Sequence, residues 1–261
     1  MQAAHSAAPT LGVAIITKNA GAHLDKCLTA LRPWADDIVL LDSGSSDDTL
    51  VIARAHGARV FENRDWPGFG PQKNLAISYL ATDWVLSLDA DEVVSPELAA
   101  AIVAVLCAPT ADVYTFSRLS NFCGRWMKHS GWRPDHIPRL FLRGQAEYSA
   151  DLVHERLLFT GSAPLLAGEL LHYSFDNLDQ VVDKMNRYSA AGALQRYQRG
   201  KRGGGMASVL AKTLWSFMRT YVLRRGFLDG REGFILAVAN AEGTYYRQLK
   251  LMYLAEKGAT S

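Results

Sequence analysis

Residues 84–92 read Trp-Val-Leu-Ser-Leu-Asp-Ala-Asp-Glu, a short apolar run that stops at two carboxylates, Asp89 and Asp91, one residue apart. Such a run is too short for a helix and reads as a buried strand. It is the fourth of a series, after Leu11–Ile16, Ile38–Leu41 and Arg59–Phe61. Ala22–Leu31, Asp48–Ala55, Gln72–Leu80 and Glu97–Leu106 carry helical spacing around them. Ser95-Pro96-Glu97 supplies an N-cap, a first-turn proline and an acid at the positive end of the dipole, and Gly70-Pro71 opens the preceding helix in a similar way. Strands alternating with single helices predict βαβ units and a mostly parallel sheet. Right-handed crossovers then bring the strand C-termini to one edge, where ligands bind in open α/β sheets.

Polar clusters fall at that edge. Ile16 leads into Thr17-Lys18-Asn19, Leu41 into Asp42-Ser43-Gly44-Ser45-Ser46-Asp47-Asp48-Thr49, and Leu88 into Asp89-Ala90-Asp91-Glu92. Asp47 and Asp48 read as caps of the next helix as readily as site residues. Asp42 follows Val39-Leu40-Leu41 directly, at a strand end rather than in a turn. Asp89 and Asp91 concentrate negative charge that calls for a cation. A hard divalent ion shared with substrate phosphates is one economical solution.

From Asp112 the pattern changes. Val113–Leu119, Pro138–Leu142, Arg156–Phe159 and Leu165–His172 read as strands of an antiparallel or mixed half-sheet, with a loop at Asn121–Asp135. Beyond residue 175 the chain reads as helices near 177–199, 206–224 and 231–256, broken at Gly203-Gly204-Gly205 and between Gly226 and Gly230. The expected division is therefore 1–175 and 176–261.

The stretch Leu11–Leu106, with Ile-Ile-Thr-Lys-Asn, Leu-Leu-Asp-Ser-Gly-Ser-Ser-Asp-Asp-Thr, Gly-Pro-Gln-Lys-Asn and Leu-Ser-Leu-Asp-Ala-Asp-Glu, resembles the family 2 inverting glycosyltransferases. The resemblance implies an α/β fold of the A-type nucleotide-sugar class, with the helices after 176 as a C-terminal extension. Trp66-Pro67-Gly68-Phe69-Gly70 and Val153-His154-Glu155 resemble the bacterial branch that adds a β-linked glucose or related sugar to the inner core of lipopolysaccharide. It implies that Thr17 and Asn19 line the base pocket and that Asp42 meets the uracil or its ribose. Lys73 would stand near the base or diphosphate, Asp89 near the ribose, and Asp91 on Mg²⁺ or Mn²⁺. Inversion needs a base opposite the leaving group. Glu155 is the candidate, with Asp151 in reserve; the plain alternative is a surface carboxylate paired with Arg156. His172 is a candidate further metal ligand, or else a buried hydrogen-bonded histidine, and His154 is a weaker candidate. Trp132, His136 and Arg139 suit sugar or acceptor contacts and equally suit core and ion-pair roles. The resemblance favours UDP-glucose; the residues leave UDP-galactose, UDP-N-acetylhexosamine or another nucleotide sugar open.

A rival enzyme class fits Asp89 and Asp91, the D-x-D signature of haloacid-dehalogenase-like phosphatases, with Asp89 as nucleophile. That motif normally opens the first strand, whereas several strands precede it here, and no later Gly-Asp-x-x-x-Asp follows.

Composition sets the remaining bounds. The 261 residues carry 28 Lys+Arg against 26 Asp+Glu, with 49% hydrophobic side chains, as in a globular protein. Three cysteines, Cys27, Cys107 and Cys123, exclude a disulfide scaffold and a four-cysteine zinc site. With no membrane-spanning run and no signal-like start, the expectation is a soluble, intracellular protein. Charge is uneven, however: between Lys184 and Arg231 stand eleven Lys/Arg and a single acid, Asp229. On a helix, Val209, Leu210, Thr213, Leu214, Phe217, Met218 and Tyr221 share a face, with Lys212 and Arg219 nearly opposite. Such a helix either packs on the domain or lies on an anionic membrane; no nucleic-acid motif accompanies it. The resemblance implies a glycolipid acceptor and a peripheral position on the cytoplasmic face of the bacterial inner membrane.

Overall fold

The computed structural model describes residues 8–151 and 155–259, so Val153 and His154 lie outside the described residues. The chain forms two compact units, Met1–Arg118 with Asp135–His172 and Leu119–Pro134 with Tyr173–Ser261. The boundary thus falls at His172, and Leu119–Pro134 groups with the C-terminal helices.

The elements run β1 (Leu11–Thr17), α1 (Gly21–Leu31), β2 (Asp37–Asp42), α2 (Thr49–Ala55), β3 (Arg59–Glu62), α3 (Phe69–Ser78), β4 (Trp84–Asp89), β5 (Glu92–Val94) and α4 (Pro96–Cys107). Then come β6 (Val113–Phe122), β7 (Arg125–Trp126), β8 (His136–Leu142), β9 (Ala146–Tyr148), β10 (Leu157–Phe159) and β11 (Leu165–Phe175). The main sheet has the order β3-β2-β1-β4-β8-β6-β11-β5, with β7 beside β6. β1 to β4 pair in parallel, whereas β4 with β8, β8 with β6 and β11 with β5 are antiparallel. It is the mixed α/β sheet the sequence predicts. The two- and three-residue strands β5, β7 and β9 are additions, too short to show a period of their own.

All seven residues of β1 are buried, as a strand covered on both faces requires. Its side chains alternate between two cores. Leu11, Val13 and Ile15 join Leu86 and Leu88 against Leu24 and Leu28 of α1 and Leu98 and Ile102 of α4. Ala14 and Ile16 join Val39, Leu41 and Val85 beside Ala76 of α3. Ser95 caps α4 as expected, its hydroxyl oxygen accepting from the Leu98 N–H at 3.2 Å and the Glu169 N–H at 3.1 Å. Register decides what the sheet edge carries: Thr17 lies beside Asp42, and Ile16 beside Asp89.

The second unit holds α5 (Leu178–Gln198), α6 (Met206–Met218), a π-helical turn Arg219–Leu223, a 3-10 turn Gly226–Asp229 and α7 (Gly230–Ala259). Both α5 and α6 pack along α7. The helix expected over 206–224 is therefore α-helical only to Met218. Phe122, Met127, Val181 and Leu236 form this unit's core. Asp229 is buried and accepts from the backbone N–H groups of Lys128 and His129 and from the Ser130 hydroxyl at 2.7 Å. The single acid of the basic block is thus used internally.

Candidate active site

The loops after β1 and β2 are laced together at the sheet edge. Asp42 is fully buried, and its carboxylate accepts from the Thr17 hydroxyl at 3.1 Å, the Gly44 N–H at 2.8 Å, the Ser45 N–H at 2.7 Å and the Ser45 hydroxyl. Burial alone would raise its pKa; the Ser45, Gly44 and Thr17 donors outweigh that and hold it below the usual carboxylate range. Asn19 takes φ 52°, a left-handed conformation asparagine tolerates. Its N–H donates to Ser45 Oγ at 2.8 Å, and its side-chain oxygen accepts from the Ser46 N–H at 2.8 Å. Asp47 binds the Gly21 N–H and the Thr49 N–H and hydroxyl, so it ties the loop to α1 and α2. Thr17, Asn19 and Asp42 are brought together, but Asp42 turns inward and shapes the loop that the others line.

A second cluster forms where β4, α3 and β8 meet. Lys73, four residues into α3 from Phe69, is buried, and its Nζ lies 3.0 Å from Asp89 Oδ1 and 3.3 Å from Glu155 Oε1. Burial would lower the Lys73 pKa, but Asp89, Tyr148 and Glu92 together outweigh this and leave it above the ordinary value. Arg139, also buried, donates through Nη2 to Asp89 Oδ2 at 2.5 Å and to Glu92 Oε1 at 2.8 Å. Burial pushes the Asp89 pKa up, yet Arg139 and Lys73 together drive it far below the carboxylate range. The negative charge at Asp89 is therefore balanced by two protein cations, Lys73 and Arg139. Arg139 belongs to this buried network rather than to an open sugar contact.

Glu92 is the residue the sequence reading passed over. It is fully buried, accepts from the Asp89 N–H at 3.0 Å, and takes Arg139 and Arg118, the latter at 3.4 Å. Its only sequence signal is position: in the strand that follows the Asp89-Ala90-Asp91 turn, it points inward. Its arginine partners come from β6 and β8, distant in sequence.

Asp91 stays 40% exposed, with Oδ2 3.4 Å from His172 Nε2. The antiparallel pairing of β11 with β5, His172 opposite Glu92, makes that meeting. Among the described ion pairs Glu155 is held by Lys73, while Arg156 reaches Asp151 at 3.9 Å. Asp151, 52% exposed, accepts from the Ser149 hydroxyl and stands apart from the cluster's contacts. A Cβ at Gly70 would lie 1.9 Å from the Ser149 carbonyl oxygen and 3.5 Å from Glu155 Cβ, so only glycine lets α3 approach the Ser149 backbone this closely. Trp132 packs edge-on to Phe122 in the second unit's core, and His136 is exposed at the start of β8.

The family model for glycosyl transferase family 2 matches residues 12–159, more than half of the chain and all but His172 of the residues just described. The chain belongs to glycosyl transferase family 2. Relatives cover nearly its full length. It is 29% identical to an uncharacterized glycosyltransferase of Rickettsia prowazekii (strain Madrid E), over 93% of this chain and 87% of that protein. It is 28% identical to the lipopolysaccharide core biosynthesis glycosyltransferase LpsC of Rhizobium meliloti (strain 1021), over 92% and 91% respectively. Among solved structures, glucosyl-3-phosphoglycerate synthase from Mycobacterium tuberculosis is 24% identical with a TM-score of 0.37, covering 43% of this chain and 44% of that one. The transferase is an α/β protein of the A-type class with C-terminal helices, and family membership displaces the phosphatase alternative.

Proposed function

We propose that this transferase moves a hexose, glucose by resemblance, from a UDP-sugar to a hydroxyl of the lipopolysaccharide inner core or a related glycolipid, with inversion. The observation that carries the reading is the chain Asp89–Lys73–Glu155: one buried ammonium holds a carboxylate of the sheet edge and a carboxylate from far along the sequence within salt-bridge distance. Thr17 and Asn19 line the base loop that Asp42 organises, Asp89 faces the ribose, and Lys73 sets the donor side against Glu155. Glu155 takes the proton of the acceptor hydroxyl as the sugar transfers. The family relative named for lipopolysaccharide core biosynthesis supports the acceptor class.

Asp91 and His172 fit a shared divalent ion, with one carboxylate oxygen and one imidazole nitrogen 3.4 Å apart and both side chains partly exposed. Among the described residues no group of three His, Cys, Asp or Glu could hold an ion unaided. Diphosphate and water would complete the shell, as is usual for Mg²⁺. When bound, Mg²⁺ or Mn²⁺ supplies charge stabilisation to the departing UDP.

The test is UDP release from UDP-sugars with Mg²⁺ or Mn²⁺ and truncated lipopolysaccharide core. Release that depends on the acceptor is expected, and Glu155→Gln should lower kcat by about 10²-fold or more with the donor KM little changed. Full activity in Glu155→Gln would remove Glu155 as base; full activity in Asp91→Ala would remove the metal assignment.

A further inference from the structure

Helix α6 packs on α7 with only part of its apolar stripe, joined there by polar side chains. The side turned to α7 carries Val209 and Phe217 together with a polar line. Val209 is buried, Lys212 Nζ donates to Gln248 Oε1 at 3.3 Å, the Ser216 hydroxyl donates to the Asn240 carbonyl at 3.1 Å, and Thr220 is buried beside Asn240. Phe217 is half-buried, edge-on to Phe234. What remains outside is apolar. Met206, Leu210, Leu214, Met218 and Val222, each four residues after the last, are between 39% and 64% exposed, with Trp215 beside them at 60%. Side chains four apart stand on successive turns and form one ridge. This departs from the sequence expectation in two ways: Lys212 lies toward α7 rather than opposite it, and Leu210, Leu214 and Met218 of the apolar stripe are uncovered while Val209, Phe217 and Tyr221 are not.

The charge around the ridge says what covers it. Lys201, Arg202, Arg219 and Arg225 are exposed, and the block's one acid, Asp229, is buried. Two copies meeting through this face would bring like charges together, whereas an anionic bilayer meets both the apolar ridge and the cations. No helix among the described residues is long and apolar enough to cross a membrane. We infer that α6 and its following π-helical turn form a monotopic membrane-docking surface. Its apolar ridge inserts at the headgroup–acyl boundary of an anionic bilayer while the flanking Lys/Arg side chains hold the lipid phosphates.

The proposal goes beyond attraction of a basic surface, and salt separates the two. Vesicles of phosphatidylethanolamine with phosphatidylglycerol should sediment the wild-type protein, with a fraction that stays bound at high salt; pure phosphatidylcholine vesicles should bind far less. Leu210→Ser/Leu214→Ser/Met218→Ser should lose the salt-resistant fraction, roughly tenfold or more in partitioning. Lys201→Gln/Arg202→Gln/Arg219→Gln/Arg225→Gln should lose most low-salt binding. Wild-type tryptophan emission should shift to the blue on vesicles, and Trp215→Phe should abolish most of that shift while sedimenting normally. The serine variant should keep the wild-type circular dichroism, which shows that it folds, and should act normally on a delipidated, water-soluble acceptor. Wild-type vesicle binding by the serine variant would overturn the proposal. So would absence of wild-type binding, or a wild-type dimer that the serine variant converts to monomer. Vesicle binding is read without any turnover, so failure of the transfer assay alone leaves this result standing.

Discussion

Lys73 has more consequences than its single charge suggests. It is the only cation within salt-bridge distance of both Asp89 and Glu155 among the described ion pairs. Lys73→Met keeps the volume and removes the charge, leaving Glu155 without its partner and Asp89 with Arg139 alone. Losing one member of a buried pair is strongly destabilising. A loss of about 3 kcal/mol in urea unfolding is expected, together with a fall in kcat. Wild-type stability in this variant would mean that Asp89 and Glu155 are satisfied without it. Gly70 makes the complementary case, since alanine there favours the helix by about 1 kcal/mol while its Cβ collides with the Ser149 carbonyl. Gly70→Ala should retain far-ultraviolet circular dichroism and lose kcat as Glu155 is displaced; unchanged kcat would show that α3 and the Glu155 segment can separate freely. At this scale Asp42, Asp89 and Asp91 stand out in the sequence because each follows a buried strand. Glu92 does not, because its partners Arg118 and Arg139 are strands away and no local pattern announces them.

Elements were legible where the apolar period is long. Helices α1, α2 and α4 and strands β1, β2 and β4 lie within a residue or two of their expected bounds, since each carries an unbroken period of its own. Ser95 is both cap and cross-link, accepting from α4 and from β11. Ser95→Ala should therefore cost about 1 kcal/mol or somewhat more, read from the urea midpoint. A cost near zero would mean that water replaces both bonds. Helix α6 shows the limit of periodicity: the wheel identifies an apolar face, but which face packs is decided by α7. There Gln248 and the Asn240 carbonyl offer hydrogen-bond partners to the polar line of α6.

For the whole molecule, the buried acids set the acid limit of stability. Asp42 and Asp89 both have folded-state pKa values below the ordinary carboxylate value. Their contribution is present in full above the unfolded pKa, near 4, and is lost as pH falls through the folded values. Unfolding free energy should decline below about pH 4. Asp42→Asn should lower stability at neutral pH and flatten that decline; an unchanged slope would show that Asp42 does not titrate on unfolding. The sequence by itself determined the alternation of strands and helices, the parallel edge with its three polar clusters, and the family. All of these follow from local periodicity and from residues adjacent along the chain. Only the tertiary structure decided that Lys73 and Arg139 neutralise Asp89, that His172 meets Asp91, and that Glu155 answers to Lys73. It also decided which face of α6 is left bare. Those outcomes depend on strand register and helix packing, which join residues tens of positions apart and leave no trace in the spacing of either partner.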